Sequence, residues 1–250
     1  AGIPPGGEPF PPLGAQKCTY VSSLQQATVD FNDYARGSWG LLFSHPGPFT
    51  PVCTTELGQM GLAAEEFRRR GVKLCGLSRG SPEENGRWVR DIEHVTPGLS
   101  QITYPIICDE DGAVAQRLGM VDSNSSPDPR NPPCRGAFIV GPDGCVKFSC
   151  FYPACTGRNT FELVRILDSL QAGEAYDVAT PGNWKQGDAC YLQADAAERK
   201  VARLPNKVVP VKLPSGGDYL NRTDIPASHF PLGAPDAAGR TASRPRPKAN

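Results

Sequence analysis

The segment HPGPFTPVCTTE at 45–56 decides the fold, because it joins a strand to a helix. The apolar run WGLLF at 39–43 precedes it with the length of a buried strand, and apolar residues recur at helical spacing after it. Thr50 suits the N-cap position, where its hydroxyl can accept a hydrogen bond from a free backbone N–H, and Pro51 suits the first helical position. The pattern therefore predicts Cys53 at the third position of the helix.

This position favours a nucleophilic cysteine. The unpaired amides of a first helical turn and the positive end of the helix dipole stabilise a thiolate, which is the reactive form of the side chain. An arbitrary cysteine is more often a buried small hydrophobic residue, so the assignment depends on the residues around Cys53.

Those surroundings resemble a known family. Pro46, Thr50 and Cys53, spaced Pro-x-x-x-Thr-x-x-Cys, resemble the active-site signature of the peroxiredoxins, and the continuation Cys-Thr-Thr-Glu-Leu resembles the 1-Cys, peroxiredoxin 6-like branch. Arg135, which opens an apolar run, matches the arginine that the family places beside its reactive sulfur.

The resemblance continues towards the C-terminus. The turn YPACTGRN at 152–159 is nearly the branch's Tyr-Pro-Ala-Thr-Thr-Gly-Arg-Asn, with Cys155 in place of a threonine. Residues 178–188 and 213–216 resemble the branch's C-terminal domain. The likeness therefore extends over about residues 38–220.

The alternation of apolar patterns predicts the α/β class, with a thioredoxin-like fold in which a central mixed β-sheet is flanked by helices. Strands are predicted at 39–45, 72–78, 103–108, 135–141 and 145–152, helices at 51–70, 82–95, 113–120 and 159–172, and a hairpin within 18–31. The predicted organisation is an N-terminal lead at 1–17, a peroxidase domain at 18–173, a small C-terminal domain at 174–220 and a disordered tail at 221–250.

The resemblance implies a thiol peroxidase that reduces hydrogen peroxide and organic hydroperoxides. Cys53 would attack a peroxide oxygen as a thiolate and become a sulfenic acid. Thr50 offers a hydroxyl that can hold the peroxide, and Arg135 offers a permanent cation with several donors. The expected contribution of both is electrostatic preorganisation.

Four further residues are expected to support the site. Pro46 would shield the pocket from water, and His45 would hydrogen-bond at its rim. Glu56, one turn beyond the cysteine, would bind His45 or Arg158, and Arg158 would position the network. The competing interpretations are a structural histidine, a surface glutamate and an ordinary paired arginine. Trp88 fits the pocket wall, a dimer contact or the core equally well.

The recycling step is predicted to use an external thiol. Thr54 follows Cys53 and no late Val-Cys-Pro motif supplies a second thiol, so a one-cysteine cycle is expected, with glutathione or another thiol as reductant and no cofactor or metal. Cys190 is retained as an alternative, internal resolving cysteine.

Composition limits the partners and the compartment. Lys plus Arg and Asp plus Glu both number 26, so the zero net charge gives no reason to expect nucleic acid as a partner. The sequence has no apolar run long enough for a membrane span, and its 9 cysteines are scattered without a Cys-x-x-Cys pair, which favours free thiols in a reducing cytoplasm. A cleaved organelle leader stays open. The resemblance implies a homodimer, with larger assemblies as an alternative.

Three other classes of protein are alternatives to the thiol peroxidase. A disulfide exchanger needs a paired thiol near the first, which the sequence does not offer. Cys145, Cys150 and Cys155 recur every five residues, but odd spacing on a strand alternates between faces and disfavours convergence on a metal ion. A chaperone or binding protein on the same fold remains the third alternative.

We predict no phospholipase activity. Some animal members of the branch have one, assigned to a Gly-x-Ser-x-Gly serine with a histidine and an aspartate. Here Arg36 replaces the first glycine and Asn32 stands where the histidine would be, which leaves Ser38 and Asp143 without a base. A phospholipid hydrolysis assay on the purified protein checks this, and robust hydrolysis that disappears in Ser38→Ala would show the prediction to be wrong.

Overall fold

The structure is a computed structural model that describes residues 6–19, 26–121, 132–192 and 204–231. The described chain divides into two compact units, with the boundary between Thr160 and Phe161. Each unit has its own sheet.

The first unit alternates strands with helices. Its strands are β1 (Gln16–Thr19), β2 (Gln26–Val29), β3 (Trp39–His45), β4 (Val72–Ser78), β5 (Ile106–Cys108), β6 (Arg135–Val140) and β7 (Val146–Tyr152). Its helices are α1 (Phe31–Ala35), α2 (Pro51–Leu62), α3 (Ala64–Arg69), α4 (Pro82–Val95) and α5 (Ala113–Arg117).

These strands form one mixed sheet in the order β2-β1-β5-β4-β3-β6-β7. β3 pairs in parallel with β4 and β4 with β5, whereas β6 runs antiparallel to both β3 and β7. All seven residues of β3 are buried, as expected for a central strand. The predicted α/β class with a mixed sheet is confirmed.

The bounds differ from the predicted ones at a few positions. The predicted helix 51–70 is interrupted at Ala63, which caps the end of α2 and the start of α3. The short helix α1 was not predicted, because five residues are too few to show a helical period. The hairpin of β1 and β2 lies where one was expected.

The prediction of an N-terminal lead separate from the domain at 1–17 is wrong for the described residues, because two of them belong to the core. Phe10 and Leu13 are each 4 % exposed, and the Phe10 ring meets Phe31 and Phe138 edge to face at 5.2 and 5.7 Å. Two apolar side chains therefore fix a segment whose Pro and Gly content resembles a linker.

The second unit contains helix α6 (Thr160–Tyr176) and a four-stranded sheet in the order β10-β11-β9-β8. The strands are β8 (Val178–Ala179), β9 (Ala189–Leu192), β10 (Val209–Pro210) and β11 (Asn221–Asp224), followed by a 3₁₀ helix at Ala227–His229. Trp184, 1 % exposed, lies in its core with Ala172 of α6 and Cys190 of β9.

Two predicted boundaries are corrected here. α6 groups with the second unit rather than with residues up to 173, because Ala172 packs into that core. The tail predicted from 221 begins with ordered structure, because β11 pairs with β9 and Ile225 is 1 % exposed. The rest of the predicted tail, residues 232–250, lies outside the described residues.

Across the parts of the chain that the structure describes, every helix is too short or too polar to cross a bilayer.

Candidate active site

The site is built where β3 ends and α2 begins. α2 starts at Pro51, so Cys53 is its third residue, as predicted, and its side chain is 0 % exposed. Thr50 is the N-cap residue by backbone geometry, but its side chain makes no capping hydrogen bond. The expected capping hydrogen bond of this hydroxyl is therefore wrong: Thr50 Oγ1 donates instead to the carbonyl oxygen of Gly47 at 3.1 Å and closes the turn before the helix.

Arg135 is the cation next to the sulfur. It opens β6, is 2 % exposed, and its Nη1 donates to Cys53 Sγ at 3.2 Å. Its Nε and Nη2 donate to the carbonyl oxygen of Ala154 at 3.0 and 2.6 Å. Burial acts to lower the pKa of Arg135, but the contacts with Cys53 and Glu56 outweigh it and raise that pKa. The guanidinium is thus held charged and fixed at the sulfur.

Glu56 joins two arginines under the helix. Its carboxylate accepts from Arg135 Nη1 at 2.7 Å, and from the backbone N–H and Nε of Arg158 at 2.7 and 2.9 Å. Glu56 is 5 % exposed, so the surface-glutamate interpretation is wrong. Of the two predicted partners the structure shows Arg158 and not His45, and it adds Arg135, which the sequence did not indicate.

Arg158 ties the following loop to the sheet. Its Nη1 donates to the carbonyl oxygen of Gly136 at 2.5 Å, and its guanidinium lies 5.7 Å from the centre of the Phe43 ring. A Cβ on Gly157 would lie 3.3 Å from Val52 Cγ1, so the loop runs close against the first turn of α2. Arg158 is therefore a paired, buried cation of the site.

His45 is inside the protein and not at the rim. It is 0 % exposed, its ring centre lies 5.1 Å from that of Trp88, and within the described residues neither ring nitrogen has a hydrogen-bond partner. Burial, together with the charges of Arg158 and Arg135, holds the pKa of His45 well below its usual value. The expectation of a rim hydrogen bond is wrong, because the last residue of the buried strand β3 faces inward.

Trp88 and Pro46 are two further residues near the site. Trp88 is 1 % exposed and its Nε1 donates to Thr54 Oγ1 at 2.9 Å, which favours the core interpretation for this tryptophan. Pro46 follows His45 and is half-buried, so its expected role as a shield stays a prediction.

The structure adds one group that sequence reasoning missed, the carbonyl oxygen of Ala154. Backbone acceptors have no signature of their own in a sequence. The available signal was indirect: the loop that carries Ala154 also carries Arg158, and it belongs to the quoted turn at 152–159.

The sequence disfavours a metal site and a phospholipase triad, and the residues concerned have other surroundings. Among the described residues, no group of three or more His, Cys, Asp or Glu is arranged to hold a metal ion. Asn32 is used in structure, since its side chain accepts from the Leu13 N–H at 3.0 Å, and Asp143 pairs with Lys147 at 2.6 Å.

The chain is similar to known proteins over most of its length. The model of the AhpC/TSA family matches residues 7–149. The chain is 42 % identical over 201 residues to a 1-Cys peroxiredoxin of Medicago truncatula, covering 80 % of this chain and 92 % of the relative. It is 40 % identical over 218 residues to peroxiredoxin-6 of Rattus norvegicus, covering 86 % and 97 %.

Solved structures give the same result. A crystal structure of a cysteine-to-serine variant of peroxiredoxin 6 from Arenicola marina superposes with a TM-score of 0.78 at 38 % identity, covering 89 % of this chain and 98 % of that one. A yeast mitochondrial 1-Cys peroxiredoxin superposes with a TM-score of 0.74 at 30 % identity, covering 89 % and 100 %. The predicted thioredoxin-like fold is confirmed by these peroxiredoxin structures.

A buried cysteine at a helix start beside a fixed guanidinium, on this fold, defines a thiol peroxidase. The chain belongs to the AhpC/TSA family, and its resemblance to the 1-Cys peroxiredoxins is confirmed.

The buried neutral imidazole predicts how stability depends on pH. Because the pKa of His45 is lower in the folded state than in the unfolded state, the unfolded state binds the proton more tightly. The stability linked to His45 is fully present above the unfolded pKa of about 6.5 and is lost as the pH falls below it, by up to about 1.4 kcal/mol per pH unit. His45→Phe should flatten the decline in unfolding free energy between pH 6.5 and 5, measured by urea denaturation. The exposed His94 supplies the control, and an equal flattening in His94→Gln would contradict the assignment.

The carboxylate that joins the arginines predicts a second effect. Glu56→Ala leaves two buried guanidiniums without their shared anion, so the unfolding free energy should drop by about 3–5 kcal/mol. Peroxidase kcat/KM should drop as well, because Arg135 loses the partner that fixes its position. Urea denaturation and steady-state peroxide consumption measure the two effects. The exposed Glu110 provides a control, and a Glu56→Ala protein as stable as Glu110→Ala would refute the argument.

Proposed function

We propose that this protein reduces hydrogen peroxide and organic hydroperoxides through Cys53, with Arg135 and Thr50 as the other two catalytic residues. The observation that carries the proposal is the hydrogen bond of 3.2 Å from Arg135 Nη1 to Cys53 Sγ, made at the first turn of α2. A guanidinium therefore meets the sulfur at the start of a helix, the end at which the helix dipole favours negative charge.

The charged side chains beside that sulfur carry a net positive charge. Arg135 and Arg158 share the single carboxylate of Glu56, and all three side chains are at least nine-tenths buried. Among these three groups, two cations and one anion leave one positive charge uncompensated. Uncompensated buried charge is costly, so the cluster suits an anionic group in front of Arg135.

The first step is a nucleophilic displacement on oxygen. The Cys53 thiolate forms an S–O bond with one peroxide oxygen while the O–O bond breaks, and the departing oxygen takes a proton and leaves as water or an alcohol. The sulfur is oxidised to a sulfenic acid and the peroxide is reduced. Arg135 stabilises the charge that moves from sulfur to the departing oxygen.

Thr50 and Pro46 are proposed to shape the peroxide site. The Thr50 hydroxyl already donates to Gly47, so its lone pairs are the groups left to accept a hydrogen bond from the peroxide O–H. Half-buried Pro46 would limit the entry of water. His45, Glu56 and Arg158 act as positioning residues through the contacts described above.

The sulfenic acid is proposed to return to the thiol at the expense of an external thiol reductant. The yeast relative is described in terms of thiol resolution via glutathione and thioredoxin systems. For this chain we propose glutathione or a thioredoxin-like protein, with no prosthetic group. Cys190 is a poor internal resolver because it is 0 % exposed and burial raises its pKa to about 11.

The assembly, the domain organisation and the compartment complete the proposal. β7 is the last strand in the order of the seven-stranded sheet, so a second copy could extend the sheet there, which supports a homodimer. The second unit is proposed as a C-terminal domain. The cytoplasm is proposed as the location, because free cysteines at all 9 positions suit a reducing compartment.

Two cysteine variants test the proposal. Cys53→Ser should reduce peroxide consumption to the background rate, because a hydroxyl at this position has no comparable nucleophilicity. Cys190→Ser should retain turnover, since Cys190 lies in the core of the second unit. Peroxide consumption with glutathione or thioredoxin as reductant measures both. Equal loss in the two variants would show that Cys190 takes part in turnover, and turnover in Cys53→Ser would contradict the proposed nucleophile.

A further inference from the structure

A second cysteine lies in the loop that closes the active site. Cys155 is exposed, between the end of β7 and the start of α6, and occupies the position where the resembling turn has a threonine. Its Sγ lies 3.7 Å from the hydroxyl of Thr156, another exposed side chain. The functions described so far make no use of this thiol.

The loop is attached to the reactive cysteine through one side chain. Arg135 donates to Cys53 Sγ at 3.2 Å and, through Nη2, to the carbonyl oxygen of Ala154 at 2.6 Å. The Ala154 carbonyl is bonded directly to the backbone nitrogen of Cys155. A single guanidinium therefore separates the Cys53 sulfur from the backbone of Cys155.

Burial of Cys53 makes an internal partner useful. The Cys53 side chain is 0 % exposed, so a reductant the size of glutathione or a protein reaches its sulfur only after the site opens. A peroxide is smaller and needs less room. Residues 153–157 are exposed, so the loop that carries Cys155 can be reached directly from solvent.

We propose that Cys155 resolves oxidised Cys53 within the same chain and then passes the disulfide to the external thiol. The inference rests on the peroxidase function proposed above and specifies the route by which the sulfenic acid is reduced.

The chemistry balances in three steps. The Cys155 thiol gives up its proton and attacks the Cys53 sulfenic sulfur as a thiolate. An S–S bond forms, the S–O bond breaks, and the departing hydroxide takes up the released proton and leaves as water. An external thiol then attacks the exposed Cys155 sulfur, which releases Cys53 as a thiolate and leaves a mixed disulfide on Cys155. A second external thiol attacks the mixed disulfide. It releases Cys155 as a thiol, and the two external thiols leave as a disulfide, having supplied the two electrons.

The geometry also indicates what allows the loop to move. A disulfide needs Cα atoms about 4.4–6.8 Å apart, so the loop and the first turn of α2 must approach one another. The sulfenic acid is less anionic than the thiolate, so oxidation weakens the hold of Arg135 on Cys53. The same guanidinium binds the Ala154 carbonyl, so the loop is held by a side chain whose contact with Cys53 changes on oxidation.

Other cysteines fit the role less well. Cys134 and Cys150 flank the same region, but burial raises the pKa of each, which disfavours the attacking thiolate. Cys145 is partly exposed but lies in the turn before β7, at the opposite end of that strand from Cys155. It therefore serves as a matched control.

The test is mass spectrometry of the full chain after one equivalent of hydrogen peroxide, with no external thiol present. We expect the intact protein to become lighter by two hydrogens, and a digest to contain a peptide that links Cys53 to Cys155. Cys145→Ser should keep this disulfide. Cys155→Thr should lose it and instead gain one oxygen at Cys53, which a sulfenic-acid trap captures and which excess peroxide carries to the sulfinic acid.

The outcomes separate this inference from the function it rests on. Trapped Cys53 sulfenic acid in the unchanged protein, with no linked peptide, overturns the role of Cys155 and leaves the peroxidase intact. A disulfide from Cys53 to another cysteine, or a Cys53–Cys155 bond that joins two copies on a non-reducing gel, overturns it as well. If Cys53 is not oxidised at all, the proposed function itself fails.

Discussion

The carboxylate of Glu56, shared by two buried guanidiniums, is the interaction on which the site depends. It connects helix α2 to the start of β6 and to the loop after β7. The two arginines that it binds lie 79 and 102 residues further along the sequence. Such a buried cluster is stable only when its remaining donors are satisfied, and here backbone carbonyls of Ala154 and Gly136 accept them. Because Arg135 gives the same Nη1 to Glu56 and to Cys53, the position of the cation at the sulfur follows from the carboxylate.

The local part of this site was readable from the sequence. A strand, a turn ending in Thr50, and Pro51 at the first helical position place Cys53 at the helix start through short-range rules. The backbone has the predicted conformation, although the Thr50 hydroxyl donates to the Gly47 carbonyl and does not accept from a helical amide. Several backbone groups compete for one hydroxyl at such a turn, and the sequence does not say which of them is nearest.

The long-range part could not be derived in the same way. Glu56 was expected near His45 or Arg158, and it binds two arginines, because its partners are set by how β6 and the following loop approach α2. His45 was expected at the rim because of the family resemblance, and it is buried instead. In a central strand that is buried on both faces, the sequence does not alternate between apolar and polar residues, so it does not show which side chains face solvent. The segment after 221 was predicted to be disordered because it has few apolar residues, but one of them, Ile225, packs in the core of the second unit.

The Phe10 side chain has a practical consequence for anyone who shortens or tags this protein. Its ring lies against Phe31 and Phe138, and the backbone N–H of Phe10 donates to the Gly144 carbonyl in the turn before β7. An expression start chosen at the first strand, Gln16, would remove an aromatic side chain from the middle of the fold and expose its two neighbours to water. The family match begins at residue 7, and a fusion joined ahead of that point leaves the aromatic contact whole.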